Sequence, residues 1–84
     1  MKNKILVNVY VPKLLETYDV YIPVNERMAR VKELLMKAVY DLSDSSFELA
    51  DEHYLIEALS GSIYPDNTVV RDTNIKNGSK VILF

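Results

Sequence analysis

His53 is the only histidine, and the chain has no cysteine. That pair of facts narrows the chemistry at once. A nucleophile–histidine pair would have to use a hydroxyl from Ser43, Ser45, Ser46, Ser60, Ser62 or Ser79. These serines sit in turn-like runs, and no Gly-x-Ser-x-Gly elbow presents any of them. His53 therefore reads as a polar residue at a strand start. Asp41, Asp44, Glu48, Asp51 and Glu52 flank it. They lack the Asp-x-Asp-x-Asp-Gly spacing of a calcium loop and read as a solvated acidic segment. Ser60-Gly61-Ser62 is a lone turn without the lysine or second glycine of a phosphate loop. Lack of cysteine excludes a disulfide, a thiolate zinc site and a cysteine-ligated cluster. No catalytic residue, metal or cofactor is expected, and the chain does not read as an enzyme.

Chemistry being sparse, the elements carry the information. At 84 residues the chain has room for a single domain, 1–84, just above the roughly 70–80 residues below which small folds usually need a staple. Hydrophobic residues make up 49% of it, enough for a core. The net charge is −2 with no basic stripe, so nucleic acid is not an expected partner. Residues 1–11 begin like a signal peptide, but Asn8 and Tyr10 interrupt the apolar run and no cleavage site follows. No apolar stretch reaches the ~20 residues of a membrane span. A cytoplasmic protein is expected.

Ile5, Val7, Val9 and Val11 alternate with Leu6, Asn8 and Tyr10, the period of a half-buried strand ended by Pro12. Tyr18, Val20, Ile22 and Val24 alternate again after a turn at 13–16. Pro23 lacks an N–H, which places that second strand at a sheet edge. Asn25 is the expected N-cap of a helix whose apolar stripe is Met28, Val31, Leu35, Ala38 and Leu42, widened by Leu34 and Val39. Ser45 with Glu48 suggests a capping box and a short helical turn carrying Phe47. Residues 53–59 form a third strand and 62–64 a very short fourth. Val69 and Val70 plug the core, Asn77-Gly78 turns the chain, and residues 80–84 form the last strand. The fold class is α+β in the order ββαβββ. One helix packs on one face of a mixed sheet, and the first and last strands are parallel central neighbours.

The run Gly61-Ser62-Ile63-Tyr64-Pro65-Asp66-Asn67-Thr68-Val69-Val70-Arg71-Asp72-Thr73-Asn74-Ile75 resembles ubiquitin without a gap. There too a glycine starts a short strand and an apolar plug precedes an Asp-x-Asn-Ile corner. Thr17-Tyr18-Asp19-Val20 with Ile22-Pro23, His53-Tyr54, and Ile75-x-Asn77-Gly78 before a terminal apolar strand are similar to the bacterial ubiquitin-like YukD/EsaB family, accessory proteins of type VII secretion. The resemblance covers nearly the whole chain. It implies a ubiquitin-like β-grasp fold and a non-catalytic, cofactor-free adaptor whose partners are proteins of the secretion machinery. Conjugating and sulfur-carrying relatives end in a flexible Gly-Gly. Here Ile82-Leu83-Phe84 falls inside the last strand, so a tag or sulfur carrier is not the expected function. A self-associating structural module, forming a weak homodimer, is a third class.

The helix covers one face of the sheet only. If Ile5, Val7, Val9, Val11, Tyr18, Val20, Ile22, Val81 and Leu83 face it, then Leu6, Tyr10, Tyr21, Ile82 and Phe84 face away. Leu55 is expected to join them, with Leu59 as its alternative. Such a contiguous apolar patch would mark an interface. The protein-binding residues expected from the sequence are therefore Leu6, Tyr10, Tyr21, Leu55, Ile82 and Phe84.

Overall fold

A computed structural model describes residues 3–49 and 52–84. Strand β1 (Lys4–Val11) and strand β2 (Glu16–Pro23) form an antiparallel hairpin. Pro12 cannot donate to the ladder, so β1 stops there. The chain turns through a 3-10 segment, Pro12–Leu14, closed by Leu15 at φ 53°. Helix α1 (Met28–Leu42) follows, then strand β3 (Leu55–Glu57), a 3-10 turn Val70–Asp72 and strand β4 (Lys80–Leu83). The sheet order is β2-β1-β4-β3. The first and last strands are parallel central neighbours, and the proline-terminated β2 is an edge.

Period two sorts the residues as their types require. Val7, Val9, Val11, Ile22, Val81 and Leu83 are buried against the helix residues Met28, Val31, Leu35 and Val39, and Val70 plugs the same core. Ile5, Tyr18 and Val20 pack at its margin. Gly78 sits at φ +88°, a left-handed conformation that glycine adopts without a Cβ penalty. That turn locks onto β1 twice: the Gly78 N–H donates to Leu6 O, and the Leu6 N–H donates to Asn77 Oδ1 at 2.8 Å.

Four expectations need correction. Asn25 does not cap α1. The N-cap is Arg27, without a side-chain bond, and Asn25 Oδ1 instead accepts from the Arg71 guanidinium at 3.0 Å. The free helix donors are met by a loop: Met28 N–H donates to Thr68 O at 2.8 Å and Ala29 N–H to Asp66 O at 3.0 Å. Leu42, at the end of the expected stripe, is exposed, because the core-facing line runs through Val39 and leaves Leu42 on the flank. Ser45 opens no helical turn. Asp44 and Ser45 are both left-handed, which ends α1 in the manner of a C-terminal cap. The short fourth strand at 62–64 reduces to one antiparallel bridge, Ile56 with Ile63.

No helix among the described residues is long and apolar enough to cross a membrane.

Candidate protein-binding face

His53 shows what the polar candidates became. Its ring is buried and stacks on Phe47 with centroids 4.5 Å apart. Nε2 lies 2.7 Å from Glu48 O and Nδ1 3.3 Å from Phe84 O. Its partners are backbone carbonyls, not serine hydroxyls. Ser43 Oγ donates to Tyr40 O, the Ser60 hydroxyl to the Glu57 carboxylate, and Ser79 Oγ accepts from Lys76 N–H. The ring thus ties the 43–49 segment to the end of β4. Asp51 lies outside the described residues. Among those described, no three His, Asp or Glu side chains gather where they could hold a metal ion.

The outer face of the sheet is organised in rows by register. Tyr10 lies beside Ile82, Ile82 beside Ile56, and Ile56 beside Ile63 across the bridge. That bridge is a pair without mutual backbone bonds, because the flanking bonds run from Glu57 N–H to Ser62 O and from Tyr64 N–H to Leu55 O. Side chains in such pairs approach closely. One row along, Tyr54 and Phe84 exchange both backbone bonds, at 3.0 and 2.9 Å. Six apolar or aromatic side chains are thus neighbours on a face that α1 does not reach. Tyr10 is 38% exposed, Tyr54 39%, Phe84 54% and Ile63 57%. Tyr54 turns its hydroxyl to the Glu52 carboxylate at 2.9 Å. That hydrogen bond, and then the carboxylate charge, raise its pKa above 10.0.

The expected site residues do not all meet. Leu6 and Tyr21 face outward as a pair, but the row Asp19–Asn8–Lys80 separates them from Tyr10 and Ile82. Asn8 Nδ2 donates to Asp19 Oδ1 at 2.9 Å, making that row a polar belt. Leu55 must be corrected. It pairs with Leu83 on the inner face and is only 3% exposed. Register decides this, since alternate residues of a strand take opposite faces. Ile56 takes the outward place instead. Leu59 is exposed but lies in the turn beyond β3. Sequence reasoning missed Tyr54, Ile56 and Ile63. The one available signal was parity: residues 54 and 56 share a face opposite to 55. The register that says which face that is comes from the pairing with β4.

No family profile matches the chain, and no curated protein matches it. Solved structures do. The chain is similar to one from the toluene 4 monooxygenase HD complex with the inhibitor 4-bromobenzoate, at TM-score 0.76 and 14% identity over 95% of each chain. It is similar to the ubiquitin-like domain of Plasmodium falciparum Dsk2, at TM-score 0.72 and 16% identity over 95% of each chain. It is also similar to part of the ESX-5 inner membrane complex, at TM-score 0.72 and 10% identity, covering 98% of this chain and 21% of that one. At these identities the likeness is one of fold: a mixed four-stranded sheet on one helix, the ubiquitin-like β-grasp.

Proposed function

We propose that this β-grasp domain is a non-catalytic adaptor that recognises a protein partner through the outer face of its sheet. The observation that carries the reading is the row Tyr10–Ile82–Ile56–Ile63 with the Tyr54–Phe84 pair beside it, apolar and covered by no other element among the described residues. Contiguous apolar surface of this kind usually marks an interface. Tyrosine suits one, because it loses apolar area to the partner while its hydroxyl stays hydrogen-bonded at the rim. We place the domain among YukD/EsaB-type accessory components of type VII secretion. The short motifs resembling that family support this pathway, as does the occurrence of the same fold within a chain of the ESX-5 inner membrane complex.

Affinity recovery of partners from the native cell tests the reading. Tyr10→Asp with Phe84→Asp should lower recovery about thirtyfold, the loss expected when an anchor worth roughly 2 kcal/mol is removed. The domain should stay folded with its thermal melt lowered by only several degrees, and Tyr21→Asp, beyond the polar belt, should retain the partner. Undiminished recovery by the double variant would refute the face. Absence of secretion-machinery proteins among the wild-type partners would remove the pathway and leave the face standing.

A further inference from the structure

The two edges of the sheet are not equivalent. At β3 the chain covers its own edge: Glu57 N–H donates to Ser62 O and Tyr64 N–H to Leu55 O, both at 2.9 Å. Among the described residues nothing pairs with the outer edge of β2.

The phase of that open edge follows from its bonds. Val24 N–H donates to Asn3 O at 2.8 Å, so with period two the backbone groups of Ile22, Val20, Tyr18 and Glu16 turn inward to β1. The other side of β1 agrees. Asn8 N–H donates to Ser79 O, and Leu6 O accepts from Gly78 N–H, so the even-numbered residues of β1 turn toward β4. Thr17, Asp19 and Tyr21 therefore each aim one N–H and one C=O away from the sheet. Pro23 has no N–H and closes the donor row.

A cleft opens beneath the Glu16 end of this edge. Tyr18 and Val20 are half-buried at the margin of the core. Leu34, Ala38 and Leu42 lie one helical turn apart on the flank of α1. Leu42 shares the cleft, about 420 Å³, with Leu14, Glu16, Tyr18, Ser43, Asp44 and Ser46. The lining holds two carboxylates, Glu16 and Asp44, and no basic side chain.

We propose that the β2 edge accepts an additional strand from a partner protein: an extended segment of alternating aliphatic residues carrying Lys or Arg at the end that meets Glu16 and Asp44. Backbone bonds to Thr17, Asp19 and Tyr21 hold it, and its aliphatic side chains lie against Tyr18, Val20 and the flank of α1, the mode of strand addition to an exposed edge. Charge also argues against a second copy of this chain. An antiparallel β2–β2 pairing that uses all three outward residues sets Thr17 against Tyr21 and Asp19 against Asp19. Like charges directly opposed are destabilising. This surface is separate from the outer face, so either can fail alone.

The test is an amide NMR titration and hydrogen exchange with a synthetic Val/Thr-alternating peptide of about eight residues, the length of an ordinary strand. One version ends in two lysines and a counterpart ends in two glutamates. The lysine peptide should slow exchange at the Thr17, Asp19 and Tyr21 amides. It should bind about tenfold more tightly than the glutamate peptide at low salt, and the gap should close as salt rises. Glu16→Lys with Asp44→Lys should reverse the preference. Asp19→Pro removes an outward donor and should abolish binding. If that variant proves unfolded by its melt, the charge-reversal pair carries the test. Equal affinity for the two peptides overturns the proposal, as do shifts confined to Tyr10, Ile82 and Phe84. So does a concentration-dependent dimer that protects the same three amides without peptide.

Discussion

The two faces of the sheet are built from the same strands, yet they do different work. In β1, Val7, Val9 and Val11 are fully buried, while Leu6, Asn8 and Tyr10 between them are not. In β4, Val81 and Leu83 are core, and Phe84, just past its end, is half exposed. Both faces carry large apolar side chains. The difference lies in the cover, since α1 and the Val70 turn close the inner face and, among the described residues, no element closes the outer one. The occupants differ to match. The buried rows of the inner face are aliphatic, with Tyr18 and Glu57 only at their margins. The outer face carries tyrosines whose hydroxyls can stay wet, and a polar belt at Asp19, Asn8 and Lys80. Apolar content alone did not decide burial here; the helix did.

The sharpest break of that comparison sits at two successive residues. Leu83→Ala should cost about 2–5 kcal/mol of stability in urea unfolding, as for an aliphatic side chain emptied from a packed core. Phe84→Ala should cost about 1 kcal/mol, typical of a partly exposed position. Equal losses would show the outer face to be as closely packed as the inner. A smaller effect comes from the belt. Asn8→Val removes the bond to Asp19, worth about 0.5–1.5 kcal/mol, and joins Leu6 and Tyr21 to the larger patch. Sedimentation should then show stronger self-association than in the parent. An unchanged profile would show that the belt does not partition the face.

The smallest effect concerns Glu57, whose carboxylate accepts from the Ser60 hydroxyl and from Asn74 Nδ2 at 2.6 Å. Those two bonds, Ser60 first, hold its pKa below the ordinary 4.5. A carboxyl depressed in the folded state stabilises the fold above its unfolded value, and that contribution disappears as pH falls through the folded value. Asn74→Ala should raise the Glu57 midpoint toward 4.5 in an NMR titration, and the variant should lose less stability than the parent on acidification. A stationary midpoint would mean that the amide contributes nothing. Glu57 shares the inward parity of Leu55, yet it stands at the end of β3 and keeps polar partners where Leu55 is buried.

Much of this was legible beforehand because it depends on local pattern. Period two in residues 5–11 and 18–24 placed the hairpin. Three-and-four spacing placed α1, and Pro23 marked the edge. Sequence pattern and structure part where a distant partner decides. Asn25 has the residue type of a cap, but the loop carbonyls of Asp66 and Thr68 supply the acceptors instead. Leu55 looked as suitable for the outer face as Ile56, because residues 54–56 are apolar on both parities and local pattern cannot choose between them.

The sequence by itself determined the alternation of β1 and β2, the amphipathic helix and most of the turns, since each follows from covalent periodicity, the backbone freedom of two glycines and the fixed φ of three prolines. Only the tertiary structure decided which side chains share a row. The pairing of Ile56 with Ile82 and Ile63, the belt that sets Leu6 and Tyr21 apart, and the burial of His53 between Glu48 O and Phe84 O all join residues far apart in the chain. Register across a sheet is set by where strands meet in space, and a one-residue slip would exchange the two faces without changing any local signal.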